Sequence, residues 1–136
     1  MASAGIDQTL REKHSEAFKA SHTFIKDYYY HMDKLRHYIA RLYTDDAVLI
    51  WNGHGVKGKQ KIQDLFRHVP FAEHKILSLD AQPYMESSFQ SPLSFMVQIA
   101  GKVQYKGKPW TAFQQSCMIV ADCAKYKIVW DCYRLV

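Results

Sequence analysis

The sequence predicts an α+β domain in which three N-terminal helices pack on one face of a strongly curved antiparallel sheet. Apart from one short strand, apolar residues up to about residue 68 recur at steps of three and four, the period of an amphipathic helix. From about residue 74 onward they recur at every second position, and short turns separate the segments. Helices followed by a run of strands are typical of the α+β class, and 136 residues suit a single domain over residues 1–136.

The three predicted helices each carry one apolar stripe. The first covers residues 8–32, and the second covers residues 33–42 with Asp33 as its N-cap. The third covers Lys59–His68 and ends before Pro70, because proline cannot continue a helix. All three stripes can therefore face the same side of a sheet.

Five strands are predicted from the alternating segments. Pro83 lies within the second of them and indicates a bulge or an edge strand. The strands cover residues 47–51, 74–85, 94–105, 110–121 and 126–135. The turns between them include residues 53–58, which are rich in glycine, and residues 106–109 and 122–125.

The last two predicted strands are substantially apolar on both faces. On strand 110–121 one face carries Trp110, Ala112, Gln114, Ser116, Met118 and Val120. On strand 126–135 the matching face carries Ile128, Trp130, Cys132 and Arg134. An antiparallel sheet with one wet face should be polar on that side, so we expect a partner chain to cover it. The alternative is a sheet that wraps tightly enough to shield itself.

Arg134 is predicted to select that partner. A lone guanidinium in an apolar interface requires a carboxylate, which Arg binds through two parallel hydrogen bonds. Two copies of this chain would bring like charges together, so Arg134 favours a different partner over self-pairing. The alternative is an arginine at a frayed, solvated C-terminus. The other predicted interface residues are Gln98, Gln114, Met118, Ile128, Trp130 and Cys132.

Composition and charge argue against several classes of protein. A hydrophobic fraction of 48% excludes a disordered chain, and no apolar run approaches the roughly 20 residues of a membrane span. The N-terminus lacks a basic region followed by an apolar block, so we expect no secretion. The net charge of +5 is scattered, without a basic block or an RNA-recognition signature, and would only modestly favour RNA or an acidic partner.

No cofactor, metal or catalytic site is predicted. Cys117, Cys123 and Cys132 follow no metal-ligand spacing, and we expect them to be reduced thiols. Residues 53–58 lack the terminal Lys-Ser/Thr of a phosphate loop. Bulky Trp51, Phe66, Phe71 and Phe113 should fill an interior cavity. Acid–base candidates do exist, but the sequence shows neither their geometry nor their pKa: Tyr43, Asp45, Asp46, His54, His74, Asp131 and Tyr133.

Three segments carry a family resemblance: residues 42–53 (LYTDDAVLIWNG), residues 113–115 (FQQ) and residues 130–134 (WDCYR). With them, nearly the whole chain resembles the nuclear transport factor 2-like family, in the branch that forms the small subunit of a messenger-RNA export receptor. The resemblance implies a cone-shaped fold that pairs through its open sheet face. It implies a non-enzymatic adaptor that forms a heterodimer with the large export receptor and shuttles between nucleus, nuclear pore and cytoplasm. Nucleoporins would be reached through the partner, and RNA through the assembled complex.

The import-factor branch of the same family differs at the positions that hold Ran-GDP. That branch has acidic residues after the strand-ending Trp and in the turn before the fourth strand. Here those positions are Asn52 and the segment with Lys106 and Lys108, so we expect no Ran-GDP binding. Two alternatives stay open: a homodimeric carrier of Ran-GDP, and a cone-cavity enzyme such as an isomerase or dehydratase.

Overall fold

The computed structural model describes residues 2–83, 94–123 and 125–136. The helices are α1 (Ala2–Lys34), a 3-10 helix (Arg36–Leu42) and α2 (Lys59–His68). The strands are β1 (Tyr43–Trp51), β2 (His54–Lys57), β3 (Ala72–Pro83), β4 (Ser94–Tyr105), β5 (Thr111–Asp122) and β6 (Lys125–Leu135). No helix among these residues is long and apolar enough to cross a membrane.

The predicted α+β architecture is confirmed: three helices pack on one side of a six-stranded curved sheet. The strand order is β2-β1-β6-β5-β4-β3, which puts β3 at an edge. Neighbouring strands are antiparallel except β1 and β6, which run parallel. The sheet predicted as antiparallel therefore contains one parallel pair, β1 and β6, which lie far apart in the sequence.

Residues 53–58 are not a simple turn, since His54–Lys57 form β2 and pair with β1. The turn itself is only Asn52-Gly53, and both residues have positive φ, at 50° and 85°. Asn-Gly favours this two-residue hairpin because both residues adopt the left-handed conformation at little cost. The glycines that follow are part of the second strand.

Asp33 does not cap the second helix. The first helix continues through Lys34, and the 3-10 helix that follows has Leu35 at its N-terminal boundary. The Asp33 carboxylate instead accepts a hydrogen bond from the backbone N–H of His74 at 2.9 Å and lies 2.8 Å from His74 Nδ1. Asp33 therefore fixes the start of β3 against the end of α1.

Predicted strand boundaries hold to within a few residues. The strand predicted at residues 74–85 begins at Ala72, and its predicted end at Tyr84 and Met85 lies outside the described residues. Pro83 indicated a bulge or an edge strand: β3 is an edge strand, and its bulge falls between Ile76 and Ser78 rather than at Pro83. Cys117 and Cys132 lie in strands, and Cys123 is exposed in the β5–β6 turn; all three are free thiols.

The core fills the space between the helices and one face of the sheet. Phe71 was predicted to contribute to it but is 68% exposed, beneath the Arg36 guanidinium at 4.6 Å. The helices contribute Phe24, Ile25, Tyr28, Ile39, Ile62 and Phe66. The sheet contributes Leu49, Phe95, Val97, Phe113, Cys117, Ile119, Ile128 and Tyr133. Trp51 packs against this cluster, so the aromatic residues largely fill the cone.

Candidate partner interface

The sheet face turned away from the helices, here called the open face, is built by alternation along four strands. On β4 and β5 the odd-numbered residues are buried or point to the core, so the even-numbered ones point outward. The same parity applies to Val48 and Ile50 of β1 and to Trp130, Cys132 and Arg134 of β6. No described element packs on this side.

Strand register arranges the open face in rows. The first row is apolar and contains Val48, Trp130, Met118 and Met96. The second is mixed and contains Ile50, Cys132, Ser116 and Gln98. The third contains Arg134, Gln114 and Ala100. Directly opposite side chains in a sheet contact each other, so the half-buried apolar residues of the first row form one continuous strip.

Ile128 does not belong to the open face, contrary to the sequence prediction. It is fully buried in the core and pairs with Ile119, whereas Trp130 pairs with Met118. The intervening Val129 is the extra residue of a β-bulge. A bulge shifts the alternation by one position, so Ile128 and Trp130 point to opposite faces although they are two residues apart. The other six predicted interface residues lie on the open face.

Arg134 is exposed on the open face, at the end of a well-anchored strand. The backbone N–H of Leu135 donates to Asn52 Oδ1 at 2.8 Å, and that of Val136 donates to the Ala112 carbonyl at 3.0 Å. The described residues include no hydrogen-bond or ion-pair partner for its guanidinium. A fixed backbone therefore presents an uncompensated cation on the same face as the apolar strip, two rows away from it.

Asp131, one of the acid–base candidates, is sealed inside the core. It accepts hydrogen bonds from Tyr43 at 2.6 Å, Gln115 at 2.7 Å and Tyr28 at 3.1 Å. Burial raises the pKa of Asp131 above its ordinary value, and these three donors limit the rise. Tyr29 completes the network through a hydrogen bond to Gln115 Oε1. The network satisfies a buried carboxylate, as a structural group requires.

His74 and Tyr133 form a second chain of contacts. His74 Nε2 lies 2.8 Å from the Tyr133 hydroxyl, while its Nδ1 faces Asp33. The Tyr133 ring stacks on Trp51 with centroids 4.0 Å apart. Burial raises the pKa of Tyr133, which disfavours the phenolate. Both side chains are thus held within the packed interior.

The remaining candidates lie apart from these groups. Asp45 and Asp46 are exposed on β1, where Asp45 lies 3.5 Å from Lys59, and His54 is exposed on β2. Within the described residues, no three His, Cys, Asp or Glu side chains are grouped as metal ligands. The structure therefore does not bring the seven acid–base candidates into one site.

The sequence prediction missed Val48, Ile50 and Met96 as open-face residues. The signal for the first two was present, since they alternate with Ala47 and Leu49. What the sequence lacked was the β1–β6 pairing, which places them beside Trp130 and Cys132. Met96 belongs to the mixed face of β4, from which only Gln98 was selected.

Comparison with known proteins gives concordant matches. The family model of the nuclear transport factor 2 (NTF2) domain matches residues 20–135. NTF2-related export protein 2 of Mus musculus is 36% identical over 123 residues, covering 88% of this chain and 87% of that protein. The Homo sapiens protein of the same name is 35% identical with the same coverage. The solved nuclear transport factor 2 of Cryptosporidium parvum has a TM-score of 0.79 and 19% identity, covering 89% of this chain and 95% of that one.

Proposed function

This chain belongs to the nuclear transport factor 2 domain family, and we propose that it is a non-enzymatic adaptor in nuclear export. In this proposal it forms a heterodimer with the nuclear transport factor 2-like domain of a large messenger-RNA export receptor. The contact buries the open face. The names of its relatives, NTF2-related export proteins, support an export role.

One observation carries the proposal: the apolar strip and Arg134 share a face that no described element covers. The strip places Trp130 and Met118 side by side at its centre. Large aromatic and Met side chains are enriched at the centres of protein interfaces, and a desolvated Arg anchor often accompanies them. In this proposal the apolar strip contributes the area that the partner buries, and the Arg134 guanidinium determines which partner binds.

Arg134 favours a different partner over a second copy of this chain. In a two-fold symmetric pair each open face contacts its own equivalent, so two Arg134 side chains would approach within the same interface. The row of Arg134, Gln114 and Ala100 contains no Asp or Glu to neutralise the two guanidinium groups, and the described carboxylates of this face, such as Asp46, Asp80 and Asp122, lie in other rows. A partner with an Asp or Glu at the facing position would form a charge-assisted, bidentate pair instead.

The same proposal accounts for location and further contacts. The heterodimer would reside in the nucleus and at the nuclear pore and would shuttle to the cytoplasm. Nucleoporins would be contacted through the large partner, and RNA through the assembled complex. Ran-GDP binding is not expected, because exposed Lys106 and Lys108 would repel the basic surface that an acidic import factor attracts.

Catalysis inside the cone is not part of the proposal. Asp131 is fully buried and already accepts three hydrogen bonds. A general base needs hydrogen-bond reach to a substrate proton, and Asp131 is enclosed by the Tyr28, Tyr43 and Gln115 side chains. A ligand-dependent rise in melting temperature in a small-molecule screen would instead favour an isomerase or dehydratase.

The test is the solution mass of the chain alone and after mixing with the nuclear transport factor 2-like domain of an export receptor. We expect a 1:1 complex that Arg134→Glu abolishes. Arg11→Glu is the matched control, since it makes the same charge change at an exposed position of α1. A stable homodimer that ignores the added domain would refute the adaptor proposal. Loss of the complex in both variants would refute the role of Arg134.

A further inference from the structure

Two lysines lie directly opposite each other on neighbouring strands at one end of the open face. Lys102 of β4 points to the open face, and the strand register pairs it with Lys75 of β3. The β-carbons of such a pair are about 4.5–5.5 Å apart, so like charges at these positions repel each other. Both side chains are exposed, and no described carboxylate forms an ion pair with either ammonium group. We call Lys75 and Lys102 the lysine row.

The backbone beneath the lysine row is fixed. Gly101 precedes Lys102, and a Cβ at this position would clash with the Lys75 carbonyl oxygen, so the two strands approach closely here. The β3 bulge follows at once, between Ile76 and Ser78. Bulges re-aim side chains and are common beside functional sites. The sheet therefore holds the two lysines opposite each other although their charges repel.

Trp110 lies beside the lysine row. The Lys75 ammonium group is 4.6 Å from the centroid of the Trp110 ring. A cation in this position is attracted by the negative face of the aromatic ring. The contact orders the Lys75 side chain, but it supplies no formal negative charge. The repulsion between Lys75 and Lys102 is therefore only partly relieved within the chain.

Nearby carboxylates leave the lysine row with an excess of positive charge. Glu73 lies opposite Gln104, one row further along the same face, and it forms no ion pair with any residue that the structure describes. Asp80 lies beyond the bulge, two rows from the lysines. The row between them contains Arg134. Three cations therefore face one adjacent carboxylate at this end of the open face.

We propose that the lysine row binds an acidic segment of the partner that covers the open face. This inference rests on the adaptor role proposed above and adds a second electrostatic contact to it. Successive rows on one face of a strand are about 7 Å apart. A partner that places a carboxylate at Arg134 therefore has its neighbouring residues within reach of Lys102 and Lys75. Carboxylates at those residues would neutralise the pair, whereas the free chain retains the repulsion.

The position of the lysine row predicts its effect on binding. The row lies at the edge of the open face, past the row of Arg134, and both ammonium groups are exposed. Charges at the rim of an interface act mainly on the rate of association and on its salt dependence. The lysine row should therefore speed the encounter with the partner, while Arg134 and the apolar strip keep the complex together.

The chemistry of this end favours an acidic protein segment over RNA or a second copy of the chain. Single-stranded RNA binds by stacking bases on open aromatic rings, but the Lys75 ammonium already lies over the Trp110 ring. A second copy brings the same cations and a net charge of +5. Repulsion therefore opposes its approach to the lysine row.

The test is the rate at which the full chain associates with the nuclear transport factor 2-like domain of an export receptor. Stopped-flow fluorescence measures this rate at several salt concentrations. The double variant Lys75→Gln/Lys102→Gln removes both charges and keeps side chains of similar length. The control Lys26→Gln/Lys34→Gln makes the same charge change at exposed positions of α1. A short glutamate peptide is the competitor, a labelled oligouridylate is the nucleic-acid arm, and thermal unfolding compares the lone chains.

We expect the double variant to associate on the order of tenfold more slowly at low salt, while its dissociation rate changes by less than about twofold. The difference in association rate should shrink as salt screens the charges. The glutamate peptide should slow association of the unmodified chain but not of the double variant. The control should change little. The lone double variant should be at least as stable as the unmodified chain, because like charges no longer face each other.

The outcomes separate this inference from the adaptor role. An unchanged association rate, an equal loss in the control, or a less stable double variant would overturn the role of the lysine row and leave the adaptor role intact. Oligouridylate binding that the double variant loses would assign the row to RNA instead. Failure of the unmodified chain to form the complex would refute the adaptor role itself, and this inference with it.

Discussion

Replacing Tyr43 with Phe tests how the buried Asp131 carboxylate is stabilised. The substitution removes one hydroxyl, which donates to Asp131 at 2.6 Å and lies 2.9 Å from the Tyr28 hydroxyl. A hydrogen bond to a charged group contributes about 1.5–3 kcal/mol, and a neutral one contributes about 0.5–1.5 kcal/mol. We therefore expect Tyr43→Phe to lower the free energy of unfolding by about 2–4 kcal/mol at neutral pH.

The pH dependence of this loss identifies its cause. Burial places the folded-state pKa of Asp131 above its unfolded value, so its contribution to stability falls as pH rises between those two pKa values. The Tyr43 hydroxyl lowers the folded-state pKa, and its removal raises that pKa further. The loss of unfolding free energy caused by Tyr43→Phe should therefore be largest at pH values above the folded-state pKa of Asp131. It should become smaller as the pH falls and Asp131 becomes protonated.

Urea unfolding of the full chain, followed by circular dichroism at neutral and mildly acidic pH, measures both effects. Tyr30→Phe is the control, because Tyr30 is 55% exposed and its loss should change stability by less than about 0.5 kcal/mol. A Tyr43→Phe effect below about 0.5 kcal/mol, or one that is the same at all pH values, would show that the hydroxyl does not stabilise the charged carboxylate.

Three other substitutions test separate features. Gly101→Ala should lower stability by about 1–3 kcal/mol in thermal unfolding, because its Cβ would clash with the Lys75 carbonyl oxygen; Gly55→Ala, with open space around it, should not. Arg36→Lys should lower the free energy of unfolding in urea by about 1–3 kcal/mol, because the Arg36 guanidinium donates to the carbonyl groups of Phe66, Val69 and Pro70 at the end of α2 and just after it. An unchanged urea midpoint would contradict this stabilising role of the guanidinium. Met118→Glu should leave the lone chain folded but prevent the heterodimer in size-exclusion chromatography, and retention of the complex would place the interface elsewhere.

Local signals predicted much of the fold. The bounds of Lys59–His68 and Ser94–Tyr105 were predicted without error. Pro70 ends the first, and a turn around Gly107 ends the second, so both limits are properties of nearby residues. The Asn52-Gly53 hairpin was also encoded locally, but the glycines after it obscured the signal.

The errors in the candidate interface have a different origin. The β-bulge at Val129 arises from how β6 fits β5, and it alone moves Ile128 to the core. Asp33 extends α1 because its carboxylate binds the start of β3, 41 residues away in sequence. Such choices depend on tertiary partners, which a pattern along one strand or helix does not contain.

The parallel pairing of β1 with β6 has a consequence for synthesis. The strand β6 is the last of the six to be made, yet it lies between β1 and β5 and joins the two parts of the sheet. Until it leaves the ribosome, the β1–β2 hairpin and the β3–β5 meander have no shared edge, and the Tyr28–Tyr43 pair lacks its carboxylate. Topologies with such distant contacts fold slowly and expose strand edges meanwhile. We therefore expect the domain to complete its fold only after β6 has been translated. Chaperones or the partner can bind the complete six-stranded sheet only from that point on.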